Sequence, residues 1–158
     1  MWLILSDTHD NLNNIERFVE EVKRRNVTHV FHCGDIVSPF ALNRLLKIEA
    51  EFHAVFGNND GEVLLLAQRA SGRIVKGPVE LVVGGKKVVM MHEPFAVEVL
   101  LFSQQYDFIF YGHTHKLDVR RQGRTVLINP GDGSGYLAEK PSAVFVDPET
   151  GQIDVYRL

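Results

Sequence analysis

The sequence of 158 residues predicts an α/β fold in which helices flank two packed β-sheets. Apolar segments of strand length alternate with helical patterns up to residue 57, which is typical of parallel strands joined by helices. From residue 79 onward, apolar segments are paired around short turn sequences, which indicates β-hairpins. The length and the ordinary composition, 45% hydrophobic and 23% charged, predict one domain over residues 1–158.

Five elements are predicted in the first half: strands over residues 2–6, 28–34 and 51–57, and helices over residues 11–25 and 38–47. The first strand, WLILS, is a continuous apolar run, as expected of a strand that is buried on both faces. The first helix is predicted because apolar residues recur there every three or four positions. The second is predicted from Ser38 and Pro39, since serine is favoured at a helix N-cap and proline at the first helical position.

The second half is richer in strands. Hairpins are predicted to turn at Gly84–Gly85, near Gly123 and at residues 147–151, with a buried strand over residues 107–112 and a helix over about 95–104. Paired glycines are typical of two-residue hairpin loops, and the sequence DPETG suits a tight turn. Two packed sheets with helices outside them accommodate both halves.

Charge and composition exclude several classes of function. The net charge of −3 gives no electrostatic reason to expect a nucleic acid or an anionic membrane as a partner. The apolar part of the initial segment MWLILSD is too short for a secretion signal or a membrane span. The single cysteine, Cys33, cannot form an intramolecular disulfide. A cytoplasmic location is therefore expected.

Five apolar segments end in polar residues that can bind metals. They are followed by SDTHD (6–10), GD (34–35), NND (58–60), HE (92–93) and GHTH (112–115). In open α/β sheets, functional sites form outside the carboxyl ends of the strands. A shared metal would also give these polar groups the partners that buried polar groups need. The repetition, more than any single motif, predicts a metal site at this edge.

Histidines are concentrated at the same strand ends. Four of the seven fall there: His9, His92, His113 and His115. The other three lie at the start of a strand or within one and are interpreted as structural residues: His29, His32 and His53. Of these, His32 is closest to a candidate ligand, because it precedes Asp35 by three positions. Cys33 is interpreted as a small buried apolar residue rather than a metal ligand.

The chain resembles the calcineurin-like metallophosphoesterase superfamily in its ordered motifs: DTH (7–9), GD (34–35), GNND (57–60), His92 and GHTH (112–115). The resemblance extends from residue 4 to about residue 132, and NPGD (129–132) and the short chain are similar to the small YfcE-type phosphodiesterase branch. It implies a four-layer α/β/β/α sandwich with two mixed β-sheets.

The resemblance also implies a function. The favoured one is hydrolysis of phosphodiesters by a hydroxide that two divalent metal ions activate. The alternatives are a phosphomonoesterase or nucleotide phosphatase, and a non-catalytic scaffold similar to a retromer subunit. The implied partner is a small phosphoester substrate. The sequence shows no interface between copies, so a homo-oligomer stays an open alternative.

Carried over by position, the resemblance implies that Asp35 bridges two metal ions. One ion would be bound by Asp7, His9, Asp35 and His115, and the other by Asp35, Asn58, His92 and His113. Carboxylate, imidazole and amide ligands suit Mn²⁺, iron, Zn²⁺ or Ni²⁺, and manganese is the favoured ion.

The chain departs from the family pattern at Asn59, where a histidine is usual. An amide cannot act as a general acid, but it can donate a hydrogen bond to a developing oxyanion. The following residue, Asp60, is expected to support the loop or a neighbouring metal ligand.

Three further positions carry an acid where the family often has glycine or serine: Asp10, Glu93 and Asp132. If these carboxylates line the mouth of the pocket, they would repel multiply charged phosphates and favour diesters. The alternative is that they turn outward to water.

Overall fold

Two β-sheets lie face to face in the computed structural model, which describes residues 1–158. In chain order the elements are β1 (Trp2–Leu5), α1 (Leu12–Arg24), β2 (His29–His32), α2 (Pro39–Leu45), β3 (Glu51–Val55), α3 (Val63–Arg69), β4 (Ile74–Val75), β5 (Val79–Val83), β6 (Lys86–Met90), α4 (Val97–Ser103), β7 (Phe108–Phe110), β8 (Leu117–Gln122), β9 (Thr125–Pro130), β10 (Ser142–Val146) and β11 (Ile153–Arg157). No helix is long and apolar enough to cross a membrane.

Both sheets are mixed. The six-stranded sheet has the order β11-β10-β1-β2-β3-β4. The strands β1 to β4 pair in parallel, and β10 pairs antiparallel with both β1 and β11. The five-stranded sheet has the order β5-β6-β7-β9-β8, with parallel pairs at its centre and an antiparallel strand at each edge. The predicted parallel first half and the three predicted hairpins are therefore confirmed.

Three apolar clusters separate four layers. Leu3 and Leu5 of β1 belong to the cluster that packs the six-stranded sheet against α1, α2 and α3. Trp2 and Ile4, the alternate residues of the same strand, belong to the cluster between the two sheets. A third cluster, which includes Leu101, packs α4 against the outer face of the five-stranded sheet. Since β1 is buried on both faces, its sequence is apolar throughout, and the α/β/β/α sandwich is confirmed.

The helix boundaries follow from local chemistry. The side chain of Asn11 accepts a hydrogen bond from the backbone N–H of Asn14, so α1 begins one residue later than predicted. Ser38 caps α2 as predicted and accepts from the N–H of Phe40, with Pro39 in the first turn. Each cap satisfies a backbone donor that would otherwise lack a partner at a helix start.

Two elements were not predicted, α3 and β4. Within α3 only Leu66 is buried, while Leu64 is 88% exposed, so the helix has no apolar stripe of the usual width. The strand β4 has two residues and is held by parallel pairing to β3. Neither element carries a periodic pattern long enough to be read from the sequence.

We expect the layer between the two sheets to carry much of the stability. Phe108 is 3% exposed and packs there against Trp2 with a centroid distance of 5.2 Å. Phe108→Ala should lower the free energy of unfolding by about 3–5 kcal/mol, because it removes buried apolar surface and leaves a cavity. Urea unfolding at equilibrium measures the change.

The matched control is Phe102→Ala, the same substitution at a side chain that is 64% exposed. It should change the free energy of unfolding by less than about 0.5 kcal/mol. Equal losses for the two variants would contradict the expectation that the inter-sheet layer carries much of the stability.

Candidate metal centre

The loops that follow five strands meet at one edge of the sandwich. These strands are β1, β2 and β3 of the six-stranded sheet and β6 and β7 of the five-stranded sheet. The loops carry the seven predicted ligands: Asp7, His9, Asp35, Asn58, His92, His113 and His115. Their donor atoms converge, so the strand-end pattern in the sequence corresponds to one site.

The first predicted ligand group surrounds Asp7. One carboxylate oxygen, Oδ1, lies 3.5 Å from Nε2 of His115 and 3.9 Å from Nε2 of His9. The ligand atoms of these three residues all lie within 4.8 Å of one another. His9 Nε2 also lies 3.3 Å from Oδ2 of Asp35, which connects this group to the second.

The second predicted group is arranged around Asn58. Its Oδ1 lies 2.8 Å from Nε2 of His92 and 2.8 Å from Nδ1 of His113. His92 Nε2 is also 3.5 Å from Oδ2 of Asp35. The same carboxylate oxygen thus lies within 3.5 Å of a histidine from each group, which is the position that a bridging ligand requires.

The donor set fits divalent cations. Asp7 Oδ1 and His9 Nε2 are buried and have no hydrogen-bond partner. Burial raises the pKa of the Asp7 carboxyl above its ordinary value, which reflects the cost of a buried anion without a compensating charge. A cation between these atoms would remove that cost and would satisfy the unpartnered lone pairs.

The backbone is strained at most of the predicted ligands. Five of the seven have positive φ: Asp7 (54°), His9 (40°), Asp35 (59°), His113 (66°) and His115 (56°). Residues other than glycine adopt this region rarely, at a cost of order 1 kcal/mol or more each. Such strain is typical of functional sites, where the surrounding structure holds the chain in place.

Two glycines allow the loops to approach one another. A Cβ atom on Gly57 would lie 2.2 Å from Oδ1 of Asp35, and one on Gly112 would lie 1.9 Å from Oγ of Ser6. Any side chain at either position would therefore displace a site loop. The glycines of GNND and GHTH are explained by this close contact.

His92 is held in a defined tautomer. Its Nδ1 lies 2.7 Å from the carbonyl oxygen of Cys33, and a carbonyl can only accept, so Nδ1 carries the hydrogen. The Nε2 lone pair is then directed at the cluster of ligands. An arrangement of this kind orients metal-binding histidines.

Asp60 connects the loops after β2 and β3. Its Oδ2 accepts from the N–H groups of Gly57 (2.7 Å) and Asp35 (3.3 Å), and its Oδ1 accepts from the N–H of Val37 (2.6 Å). Burial raises the pKa of this carboxyl. These contacts agree with the expected supporting role of Asp60.

Asn59 contacts a predicted metal ligand, Asp35. Its backbone N–H and its Nδ2 donate to the two carboxylate oxygens of Asp35, both at 2.8 Å. Burial acts to raise the pKa of Asp35, but these two hydrogen bonds, together with nearby histidines, outweigh it and the pKa is lowered. Since an amide nitrogen carries two hydrogens, one donor is left for a substrate.

The expectation for Asp132 was wrong, because this residue lies neither at a pocket mouth nor in water. It is fully buried, and its two oxygens accept hydrogen bonds from the N–H groups of the loop that follows and from a hydroxyl: Ser134, Gly135, Leu137 and Ala138. Its Oδ1 lies 3.4 Å from Nδ1 of His115. Burial acts to raise the pKa of Asp132, but the hydrogen bonds outweigh it and the pKa is lowered. Asp132 therefore organises this loop and places a carboxylate beside His115, a predicted ligand whose Nδ1 has no hydrogen-bond partner.

Of the other two acids, Asp10 also departs from expectation. Its Oδ1 accepts from both the N–H (3.1 Å) and the hydroxyl (2.6 Å) of Ser38, so this half-buried residue links two site loops and does not line the cavity. Glu93 is exposed and lines a cavity beside the ligands. Only Glu93 occupies the position expected of all three acids.

His32 supports the site although it is not among the predicted site residues. It is fully buried; its Nε2 lies 3.0 Å from Oγ1 of Thr8, and its Nδ1 accepts from the N–H of Gly34 at 3.3 Å. Burial lowers its pKa to about 3, so it is neutral. The ring joins the loops after β1 and β2. Its position three residues before Asp35 was the one signal in the sequence.

A cavity of about 600 Å³ adjoins the second ligand group. Asn58, His92 and Glu93 lie on its polar side, together with Lys76. Its apolar wall is formed by Phe56, Val63, Pro78, Met91 and Phe95. The volume is typical of sites for small molecules.

Known proteins resemble the chain over nearly its full length. The calcineurin-like phosphoesterase superfamily domain matches residues 1–151. Phosphodiesterase MJ0936 of Methanocaldococcus jannaschii is 34% identical over 152 residues, which are 92% of each protein.

Solved structures share the fold. A structure described as a novel archaeal phosphodiesterase has a TM-score of 0.90 and 32% identity over 99% of both chains. The E. coli phosphoesterase YfcE has a TM-score of 0.64, and Vps29 of Entamoeba histolytica in complex with zinc one of 0.70; each is 19% identical, with coverage of 99% of this chain and 97% of the other. At 19% identity, YfcE and Vps29 show the fold alone. The chain belongs to the calcineurin-like phosphoesterase superfamily.

Proposed function

We propose that the chain, as a single domain, hydrolyses small phosphodiesters with two divalent metal ions bound at the site described above. The observation that carries this proposal is the convergence of seven ligand side chains on a site with two buried, unpartnered donor atoms, Asp7 Oδ1 and His9 Nε2. A relative that is 34% identical is named a phosphodiesterase, which supports the same reaction.

The proposed ligands divide into two sets that share Asp35. Asp7, His9, Asp35 and His115 hold one ion, and Asp35, Asn58, His92 and His113 hold the other. Bound divalent ions of this kind lower the pKa of water toward neutrality and thereby supply a hydroxide nucleophile. Nitrogen and oxygen donors without thiolate suit Mn²⁺, iron, Zn²⁺ or Ni²⁺, and we favour Mn²⁺.

The ligand charges favour an anionic substrate. Asp7 and Asp35 offset only two of the four positive charges that two divalent ions bring, and a hydroxide offsets one more. The neutral amide of Asn58 takes a ligand position without adding negative charge. A net positive charge is left to attract a phosphate oxygen.

The cavity indicates what surrounds the phosphate. Its lining contains Asn58 and His92 and therefore adjoins the proposed phosphate position, and its wall also includes apolar side chains. A diester has a second organic group that such a wall can bind. We propose that an apolar or aromatic ester group occupies it.

The other functions on this fold have less support. A scaffold without catalysis has no need of a complete ligand set, and here all seven ligand positions are filled. A phosphomonoesterase needs a site that accepts a second negative charge. Glu93, exposed in the cavity wall, disfavours that charge, while Lys76 of the same wall partly offsets the repulsion, so the substitution of Glu93 below tests the preference.

Removing metals tests the proposal directly. Protein treated with a chelator should lose hydrolysis of bis(4-nitrophenyl) phosphate, and added Mn²⁺ should restore it. His92→Ala should lower kcat/KM by at least about 100-fold, since it removes a proposed ligand. The control is His29→Ala, the same substitution at the start of β2 and outside the proposed catalytic ligands, and it should leave kcat/KM unchanged. Full activity of metal-free protein would overturn the proposal.

The nature of residue 59 predicts how the rate depends on the leaving group. Because Asn59 cannot donate a proton as an acid, aryl diesters with good leaving groups should be cleaved far faster than alkyl diesters. Asn59→His should raise the alkyl rate relative to the aryl rate by at least about tenfold, as a general acid would. The measurement is kcat/KM over a series of leaving groups. Equal wild-type rates for aryl and alkyl esters would contradict this role.

The charge of Glu93 predicts a preference among phosphoesters. Glu93→Gln should raise kcat/KM for an aryl phosphomonoester relative to the matching diester by about two- to fivefold, because it removes repulsion of the second negative charge. Glu49→Gln changes the same charge at an exposed position outside the cavity and should leave the ratio unchanged. An unchanged ratio in Glu93→Gln would show that this carboxylate does not select diesters.

A further inference from the structure

A second cluster of metal-binding side chains lies at the opposite end of the six-stranded sheet. His29 begins β2 and Glu51 begins β3, and the two residues are paired directly across the parallel strands. His53 lies two residues further along β3, on the same face as Glu51. The proposed catalytic ligands follow the carboxyl ends of these strands, so the two sites are separated by the length of the sheet.

The three side chains meet at ligand distance. Nε2 of His29 lies 3.3 Å from one oxygen of Glu51, and Nε2 of His53 lies 3.3 Å from the other. All three ligand atoms lie within 4.8 Å of one another. The imidazole rings are nearly parallel, with a centroid distance of 6.0 Å and an interplanar angle of 7°.

The hydroxyl of Thr28 holds the ring of His29. Its oxygen lies 2.9 Å from Nδ1 of His29 and 3.2 Å from the carbonyl oxygen of Met1, which also accepts from the backbone N–H of Thr28. When the hydroxyl donates to that carbonyl, it accepts from Nδ1, and Nε2 of the neutral ring then carries a lone pair that faces the carboxylate of Glu51.

The second histidine contributes a nitrogen without a partner. Nε2 of His53 is buried and has no hydrogen-bond partner. A buried polar nitrogen without a partner is unfavourable, and a cation between this nitrogen and the Glu51 carboxylate would supply one. Phe31 stacks on the ring of His53 at 5.1 Å, and Trp2 packs edge-on against His29 at 5.8 Å, so aromatic neighbours restrict both imidazoles.

We propose that His29, Glu51 and His53 bind one divalent transition-metal ion, separate from the proposed catalytic ions. Two histidines and a carboxylate are ligands typical of Zn²⁺, and also suit Co²⁺, Ni²⁺ and Cu²⁺. Each histidine Nε2 lies 3.3 Å from a different oxygen of Glu51, close to the separation of about 3.4 Å between ligands that are about 2.0–2.1 Å from a tetrahedral ion, so both carboxylate oxygens face the proposed ion. The Glu51 side chain is 64% exposed, which leaves room for a water as a further ligand.

The ion would join two neighbouring strands. Because His29 begins β2 while Glu51 and His53 lie on β3, a shared ion would cross-link the two strands where their pairing begins. Binding to the folded chain alone also stabilises it in proportion to the logarithm of metal concentration. This inference does not depend on the proposed hydrolysis, since none of the three residues belongs to the catalytic site.

The test counts ions on the full-length chain. Protein stripped of metals is dialysed to equilibrium against Zn²⁺, and bound zinc is measured by elemental analysis. The wild type should bind one zinc ion per chain more than His53→Ala does. Glu51→Gln should lower the affinity for that ion by at least about tenfold. Glu49→Gln makes the same charge change two residues away, at an exposed position, and should bind as the wild type does.

Two further readouts separate binding from folding and from catalysis. The increase of Tm caused by Zn²⁺ should be smaller in Glu51→Gln than in Glu49→Gln, while hydrolysis of the aryl diester with Mn²⁺ should be equal in both. Glu51 is exposed, so this pair is informative even if His53→Ala does not fold. Equal zinc content and equal Tm shifts in Glu51→Gln and Glu49→Gln would overturn the proposal and assign a proton, not a metal, to the cluster.

Discussion

The carboxylate of Asp35 is the group on which the arrangement of the site depends. It is almost fully buried and lies within 3.5 Å of one histidine from each proposed ligand set. Its two oxygens also accept from Asn59, and its own N–H is held by Asp60. The two hydrogen bonds from Asn59 and the nearby histidines keep this buried carboxylate ionised, and its pKa is lowered. The loops from both sheets are therefore assembled around one buried anion, to which the proposed metal ions would bind.

The site could be predicted from the sequence because the strand-end pattern depends only on the order of strands and motifs along the chain. Parallel strands present their carboxyl ends at one edge, so DTH, GD and GNND were expected to meet once the strands were recognised. The supporting contacts depend instead on how loops close. Nothing in the local sequence indicates that Asp132 turns inward to five hydrogen-bond donors, or that Asp10 reaches Ser38. Likewise α3 lacks the apolar stripe that predicts a helix, and packing determines it.

The histidines also show which contacts follow from the order of motifs along the chain and which depend on how the strands pair. Positions at strand ends predicted the cluster that we propose to be catalytic, whereas His29 and His53 were interpreted as structural because they lie at the start of a strand or within one. Only the pairing of His29 with Glu51 brings the second cluster together, and register between parallel strands is not encoded by a short motif. The two ends of the same strands thus differ in how readily their chemistry can be predicted.

Asn59 connects the structure of the site to the choice of substrate. Its amide is used to orient and hydrogen-bond Asp35, so the residue stabilises the ionised carboxylate instead of supplying a proton. A site built in this way relies on a leaving group that departs as a stable anion. Under the proposed function, the apolar wall beside Asn58 and the exposed Glu93 would act in the same direction and favour a diester with one apolar group over a doubly charged monoester, with Lys76 offsetting part of the repulsion from Glu93. Selectivity would then follow from the loss of one acid catalyst together with the charge of one cavity residue.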